Sequence, residues 1–371
     1  MAVVSVAVSF FVIILAICIS AGFRTRIREG VADLTGDVQL TGSSSNYYNA
    51  EGSVNARPSY FDALEEVEGV RSVYPVVYRA GIVRSADELQ GVMFKAVPWE
   101  DTTALAAHIP GSLARRMGFS EGDEMLAYFV SDRVSARRFK VTEIYDAVLD
   151  ASENQVVFVS PEDLRRVNGW DEGKASALEV RLKDGYGSRG AQKEAALDLA
   201  SLSYARSDSD DDPLLAVSAA DRYSTIFDWL ELIDVNVLII LLLMILVAGF
   251  NMISGVLIML FRNISAIGTL KALGMSDQGI AGVFLRVAAR VVAWGMLAGN
   301  ALALLFCAVQ DRTRLIKLDP ANYFVSYVPV HVDFLHILAV DAVAFGVIML
   351  LMLIPSLFIS RVDPATTMRV R

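Results

Sequence analysis

The sequence is poor in the side chains from which most active sites are built. It contains two cysteines and three histidines in 371 residues. Cys18 and Cys307 both fall in uncharged apolar runs, so they indicate neither a disulfide framework nor a metal-ligating pair. The spacings HExxH, CxxC and GxxxxGK[ST] do not occur, which excludes a zinc-protease motif and a nucleotide-binding phosphate loop of that type. We therefore predict no catalytic, cofactor-binding or metal-binding residue in this chain.

Charge is scarce in four stretches and concentrated in one. Residues 23–234 carry 23 basic and 36 acidic side chains, a net charge of −13, whereas the remaining residues carry a net charge of +4. This distribution predicts one acidic, water-facing domain set into a mildly basic membrane part. The acidic domain argues against nucleic acid as a partner, because binding phosphates requires clusters of Lys and Arg.

Four apolar runs are long enough to cross a bilayer, which takes about 20 helical residues. The predicted transmembrane helices are 1–22, 235–261, 285–309 and 334–360. A signal peptide is the alternative for the first run, but that run lacks a basic leading region and a polar-flanked cleavage site. The missing basic flank also predicts a short N-terminal piece ahead of Met1.

The water-facing segment 23–234 predicts an α+β layer with helical stalks at both ends and a β-rich subdomain inserted at about 106–183. Its predicted strands are 37–41, 73–83, 91–97, 125–130, 138–145, 155–159 and 178–182. Its predicted helices are 60–67, 112–117, 161–167 and 190–202.

The orientation follows from the basic residues of the short connections. From Arg262 to Arg290 the chain has four basic residues and one acidic residue. By the positive-inside rule this places the loop 262–284 and the tail 361–371 in the cytoplasm. The segment 23–234 and the loop 310–333 then lie outside. Arg24, Arg26 and Arg28 indicate the opposite orientation, and we give more weight to the later helices.

A short apolar stripe follows the second span. Ile264, Ile267, Leu270 and Leu273 recur every three residues, and glycines break or cap the segment. A helix of this size beside a membrane either lies on the bilayer surface or docks into a groove on a partner, and we predict that it docks. The predicted docking residues are Ile264, Ile267, Gly268, Leu270, Lys271, Leu273 and Gly274.

Small and polar residues within the spans predict how the helices pack. Gly295 and Gly299 form a small-xxx-small pair, which allows close helix approach. Asn251 and Ser254 are predicted to hydrogen-bond between helices, or else to line a cavity. His336 and Asp341 lie close to the outer end of the last span, where headgroup-level anchoring is the favoured interpretation over a functional site within the membrane.

Several longer motifs resemble those of one family. The chain reads FNMISG at 250–255, GTLKALG at 268–274, LARRMGFSEGD at 113–123 and RVDPATTMR at 361–369. In these motifs it resembles the LolC/LolE-type permease subunits of lipoprotein-releasing ABC transporters, within the FtsX/MacB-type permease superfamily. The resemblance implies an α+β integral membrane protein of the cell inner membrane. It would have four transmembrane helices and a MacB-like periplasmic domain between the first and the second.

The resemblance also implies a function and partners. The stripe at 264–273 becomes a coupling helix that docks into a cytoplasmic ABC ATPase subunit, which alone binds ATP and Mg. The other partners are a second permease protomer, either identical or a paralogue, a lipoprotein substrate, and a periplasmic lipoprotein carrier. Two other functions stay open: an FtsX-like signal transducer that activates a cell-wall hydrolase, and a MacB-like efflux or mechanotransmission permease.

Overall fold

The computed structural model describes residues 2–42, 52–85, 88–97, 104–129, 134–145, 147, 155–208, 211, 213–319 and 323–355. The chain forms two compact units. The first, which we call the helical unit, contains Met1–Arg24, Leu230–Ile316 and Val328–Arg371; the second, the α/β unit, contains Thr25–Trp229 and Lys317–Tyr327. The tail 361–371 and its motif lie outside the described residues, as does the end of the predicted fourth span.

The elements follow in chain order. The helices are α1 (Ala2–Thr35), α2 (Phe61–Glu65), α3 (Gly111–Met117), α4 (Pro161–Asn168), α5 (Arg189–Arg206), α6 (Ala219–Arg222), α7 (Ser224–Arg262), α8 (Ile264–Ala272), α9 (Asp277–Thr313) and α10 (Phe334–Leu351). The strands are β1 (Val38–Thr41), β2 (Val54–Asn55), β3 (Val70–Ser85), β4 (Glu88–Ala96), β5 (Ala106–Pro110), β6 (Glu124–Phe129), β7 (Ser135–Tyr145), β8 (Val156–Val159), β9 (Lys174–Ala175), β10 (Ala177–Leu182) and β11 (Leu215–Ser218).

Four helices are long and apolar enough to cross a membrane: α1, α7, α9 and the helical stretch Phe334–Pro355 that contains α10. The chain is therefore a multi-pass membrane protein. Helices α1, α7 and α9 have 34, 39 and 37 residues, which at 1.5 Å per residue is about 50–60 Å. This exceeds the roughly 30 Å of the hydrocarbon core, so each of the three extends beyond it. The predicted boundaries at 22/23 and 234/235 fall inside continuous helices.

The helical unit has its own apolar core. One face of each long helix packs into this core, and the opposite face is left available to lipid. The largest contribution comes from α1, through Val6, Phe10, Ile13 and Ile14. The other helices add Ile245, Ala248 and Met252 of α7, Ala288, Val292 and Ala303 of α9, and Ile337, Ala344 and Ile348 of α10.

A closed barrel forms one half of the α/β unit. Its strand order is β3-β4-β8-β5-β7-β6, and β6 pairs back with β3 to close it. Three phenylalanines, Phe94, Phe129 and Phe139, pack edge-to-face or stacked in its interior. Gly81 of β3 makes room for them, since a Cβ there would lie 2.9 Å from the Phe94 ring. The barrel core thus depends on a glycine opposite an aromatic cluster.

An open wing of sheet forms the other half. Its strands are β11-β1-β10-β3, all antiparallel. Helices α2 and α5 cover one face, where Leu64 and Leu199 pack on Val38, Leu40 and Val180. Because β3 is 16 residues long, its first half pairs with β10 in the wing and its second half with β4 and β6 in the barrel.

This arrangement corrects the predicted extent of the inserted subdomain. The predicted range of about 106–183 included the strand at 178–182, but β10 lies in the wing between β1 and β3. Conversely, β4 and the second half of β3 belong to the barrel although they precede residue 106. The error arises because strand pairing across long sequence separations leaves no local signal in the sequence.

Candidate functional site

Helix α8 is a short helix held between two membrane-spanning helices. A single residue, Asn263, separates it from the end of α7. Its other end is closed by Gly274, which has a left-handed φ of +91° and donates its N–H to the Lys271 carbonyl. Ser276 then caps α9 by accepting a hydrogen bond from the Gly279 N–H. Glycine suits this turn because it adopts a positive φ without steric cost.

Two contacts fix α8 against its own chain. Ile267 is 2% exposed and packs with Leu260 of α7 and Ile280 of α9. Beside it, the Lys271 Nζ lies 2.7 Å from the Asp277 Oδ1 at the start of α9. One apolar contact and one ion pair therefore anchor the same helix, so its other face has a defined direction.

Two large apolar side chains at the end of α8 are uncovered, beside exposed Ser265 and Thr269. Leu270 is 40% exposed and Leu273 is 80% exposed. Phe261, at the end of α7, is 64% exposed. Exposed large apolar side chains such as these are typical of a surface that contacts a partner or a membrane.

The seven predicted docking residues thus separate into two groups. Ile267 and Gly268 are buried inside the chain, Ile264 is half-buried, and Lys271 is paired with Asp277. Leu270, Leu273 and Gly274 are exposed. The sequence reasoning missed Phe261 and Asp277, because no helical spacing relates a residue before Asn263 or after Gly274 to the stripe.

The predicted packing glycines lie where α9 meets α1. A Cβ on Gly295 would lie 2.7 Å from Val6 Cγ1, and one on Gly299 would lie 2.5 Å from the Ala7 carbonyl oxygen. Real Cβ atoms do not approach so closely, so the two helices are in near-backbone contact at these residues. Asn251 Nδ2 donates to Ser5 Oγ, a hydrogen bond between α7 and α1.

Two other expectations about polar residues in the spans are corrected. Ser254 Oγ donates to the Phe250 carbonyl of its own helix, so this bond joins no second helix. Asp341 is 6% exposed and accepts a hydrogen bond from Asn300 Nδ2, which links α10 to α9. Headgroup-level anchoring is therefore wrong for Asp341, whereas His336 is exposed.

In the α/β unit, a buried lysine caps the C-terminal end of α1. The Lys95 Nζ donates to the carbonyl oxygens of Asp33 and Leu34, both at 2.9 Å, and to Glu179 Oε2 at 2.7 Å. The last carbonyls of a helix lack partners within the helix and carry partial negative charge. Lys95 satisfies two of them with all three of its donors in use.

The Lys95–Glu179 pair is fully desolvated, since the two side chains are 2% and 0% exposed. Burial lowers the pKa of Lys95 and raises the pKa of Glu179, and their mutual attraction opposes both shifts. Each charge is tolerated at this depth only because the other is present.

A second hub follows immediately at Asp37. Its carboxylate accepts hydrogen bonds from the Leu182 N–H and from Gln192 Nε2, and its carbonyl accepts from the Ala219 N–H. Gln192 Oε1 in turn accepts from the Ala220 N–H. The end of α1, the strand β10, the helix α5 and the start of α6 are thus joined through two buried polar side chains. No sequence signal identified Lys95, Glu179, Asp37 or Gln192.

The described sites consist of packing contacts, hydrogen bonds and ion pairs. Within the residues that the structure describes, no group of three or more His, Cys, Asp or Glu side chains is placed to hold a metal ion. The arrangement defines a class: an integral membrane protein with four spanning helices and one large α+β domain in the chain between the first and the second.

Comparison with known proteins narrows this class. Residues 238–364 match the family model for the FtsX-like permease C-terminal domain. The chain therefore carries an FtsX-like permease domain in its C-terminal third. The matched range contains α8, its anchoring contacts and the glycines of α9.

The individual proteins that the chain resembles have low sequence identity to it. The chain is 22% identical over 343 residues to the lipoprotein-releasing system transmembrane protein LolC of Neisseria meningitidis serogroup B, a match covering 82% of this chain and 79% of LolC. The extracellular domain of the noncanonic ABC-type transporter YknZ from Gram-positive bacteria is 14% identical over 49% of this chain and 99% of that domain, with a TM-score of 0.31. The periplasmic region of MacB from Actinobacillus actinomycetemcomitans is 11% identical over 53% of this chain and 95% of that region, with a TM-score of 0.31.

Proposed function

We propose that this chain is the permease subunit of an inner-membrane ABC transporter that releases lipoproteins toward the outer membrane. The family match gives the permease part, and the similarity to a lipoprotein-releasing LolC over most of both chains favours this cargo. The chain itself is then not an enzyme. ATP and Mg are bound by a separate cytoplasmic ATPase subunit, and the large α/β domain lies in the periplasm.

The observation that carries the proposal is the two-faced packing of α8. Its inner face is fixed by Ile267 and Lys271, while Leu270 and Leu273 are exposed. A helix anchored in this way moves as one body with the ends of α7 and α9. A partner that binds Leu270 and Leu273 can therefore displace both spans. We infer that the ATPase subunit binds these exposed leucines. A second permease protomer, identical or a paralogue, would then complete the transport pathway.

The docking step is tested by Leu270→Asp with Leu273→Asp. Burial of each leucine at an interface contributes about 1.5–3 kcal/mol, and 1.4 kcal/mol is about tenfold in affinity. We therefore expect the double variant to reduce co-purification of the ATPase subunit by about a hundredfold or more. The matched control is Leu197→Asp, on an exposed face of α5 in the α/β unit, which should leave co-purification unchanged. Full retention of the ATPase by the double variant would remove α8 as the docking element.

The cargo is tested by depleting the chain in cells. Lipoproteins of the outer membrane that accumulate in the inner membrane would support the proposal. Filamentation or wall defects without lipoprotein retention would instead support an FtsX-like transducer, which the family description keeps as the second candidate. Sensitivity to drugs or peptides alone would support an efflux or mechanotransmission permease.

A further inference from the structure

Two arginines lie in the otherwise uncharged central part of α9. Between Gln278 and Gln310 the only charged residues are Arg286 and Arg290. They are one helical turn apart and both are exposed. Arg286 Nε donates to the Gly282 carbonyl of its own helix. Neither arginine forms an ion pair with an acidic residue among the parts of the chain that the structure describes.

The residues that follow on the same face change in a definite order. Trp294, one turn beyond Arg290, is 68% exposed, and Leu297 and Leu305 farther along are also exposed. At 100° per residue, all five side chains fall within an arc of about 100°. From Arg286 onward, moving along α9 away from α8, this face passes from guanidinium through indole to aliphatic side chains, and on the α8 side of Arg286 it carries Val283, which is 42% exposed.

That order matches the depth profile of one bilayer leaflet. Trp294 lies about 6 Å beyond Arg290 along the axis and Leu305 about 22 Å beyond it. Tryptophan favours the interfacial level, basic side chains the headgroup level and leucine the hydrocarbon. Helix α9 also continues for nine residues on the α8 side of Arg286, so the arginines are not at the end of the helix, and the order of side chains favours the headgroup level for them.

Guanidinium groups that form no ion pair within the described chain are available to an anion at this level. A guanidinium binds phosphate oxygens through two parallel N–H···O bonds, and two of them one turn apart present a doubly charged surface with no carboxylate on the same face. The aliphatic side chains beyond Trp294 provide a surface for acyl chains. This combination of charge and apolar surface fits a phospholipid better than an acidic protein surface.

We propose that Arg286, Arg290 and Trp294 bind the headgroup of an anionic phospholipid in the leaflet next to α8. The site lies on an exposed face of α9, and Arg286 is within two turns of Ile280, which packs against Ile267. A lipid held there fixes the depth of the α8–α9 corner in the membrane. The proposal depends on the membrane placement of α9 and does not depend on the cargo or on the ATPase.

The test measures which lipid lies next to Trp294. The full chain carrying Trp99→Phe, Trp170→Phe and Trp229→Phe keeps Trp294 as its only tryptophan. It is placed in phosphatidylcholine bilayers containing either brominated phosphatidylglycerol or brominated phosphatidylcholine at the same mole fraction. Attraction of an anionic lipid by two arginines corresponds to roughly a thirtyfold preference near the surface, so the brominated anionic lipid should quench Trp294 more strongly, and less so in high salt.

The variants then assign the preference to the arginines. Arg286→Gln with Arg290→Gln should equalise quenching by the two lipids, whereas Arg286→Lys with Arg290→Lys should keep part of the preference. The matched control is Arg312→Gln with Arg314→Gln, two exposed arginines at the other end of α9, which should keep all of it. Equal quenching by the two lipids in the protein that keeps both arginines would overturn the proposal. A preference that survives the double glutamine change would also overturn it. Loss of the ATPase or of a second protomer with an unchanged lipid preference would assign the arginines to a protein contact instead.

Discussion

The buried Lys95–Glu179 pair gives the sharpest quantitative prediction. Replacing Lys95 with methionine keeps the length of the side chain and removes its charge. Glu179 is then left fully buried without its partner, and the carbonyl oxygens of Asp33 and Leu34 lose their donor. Removing one partner of a buried ion pair costs about 3–5 kcal/mol. We therefore expect the free energy needed to open the wing around α1 to fall by that amount.

The assay is hydrogen exchange of the full chain in bilayer discs, followed by mass spectrometry of the segments that contain β4 and β10. A loss of 3–5 kcal/mol corresponds to exchange that is on the order of a hundredfold to several thousandfold faster. The control Lys193→Met, on the exposed side of α5, should leave these rates unchanged.

A double variant separates the charge from the loss of packing. Adding Glu179→Leu to Lys95→Met removes the unpaired carboxylate, so the double variant should exchange more slowly than Lys95→Met alone. It should remain less stable than the parent protein, because the two helix carbonyls still lack a donor. Parental exchange rates in Lys95→Met, or still faster exchange after the second change, would refute the reasoning.

Two further predictions concern packing and pH. Gly299→Ala should lower the stability of the helical unit by about 1–3 kcal/mol, because its Cβ would lie 2.5 Å from the Ala7 carbonyl oxygen. Gly346→Ala is the control and should not lower it, since no atom lies within 4 Å of that Cβ. Equal melting temperatures of the two variants would contradict this prediction. The Ser59 N–H and Asn55 hold the pKa of Asp211 below its usual range, so the stability that this carboxylate contributes is complete above the unfolded-state pKa of about 3.9 and is lost as pH falls through the lower folded-state pKa. In thermal unfolding between pH 6 and pH 2, Asp211→Asn should remove this part of the acid dependence, and an unchanged pH profile would show that Asp211 does not contribute it.

Local patterns in the sequence predicted most elements of the α/β unit. The predicted strands at 73–83, 91–97, 138–145 and 155–159 overlap β3, β4, β7 and β8, because alternating side chains and turn residues are local signals. The closure of six strands into a barrel was not predictable. It depends on contacts such as Ile82 with Tyr128 across the β3–β6 pair, and no periodicity encodes a partner.

The candidate sites show the same division. The three-residue repeat of α8 correctly indicated an apolar helix at 264–272, but it could not show that Ile267 packs inward while Leu270 and Leu273 are exposed. Direction depends on Leu260 and Ile280, which lie on other helices. Lys95 and Glu179 are separated by 84 residues, so each reads as an ordinary strand residue until the sheet is assembled.

The two halves of the α/β unit differ in when their strands can pair. Among the strands that the structure describes, β1 pairs only with β10 and β11, and Gln39 meets Glu179 some 140 residues later in the chain. The barrel pairs β3 with β4 across a short hairpin and needs nothing beyond β8. Because closing a long loop costs more entropy than closing a short one, we expect the barrel to form first as the chain is synthesised. The wing, and with it the Lys95 cap on α1, then waits for β10, so the end of the first span stays uncapped until most of the domain has been made.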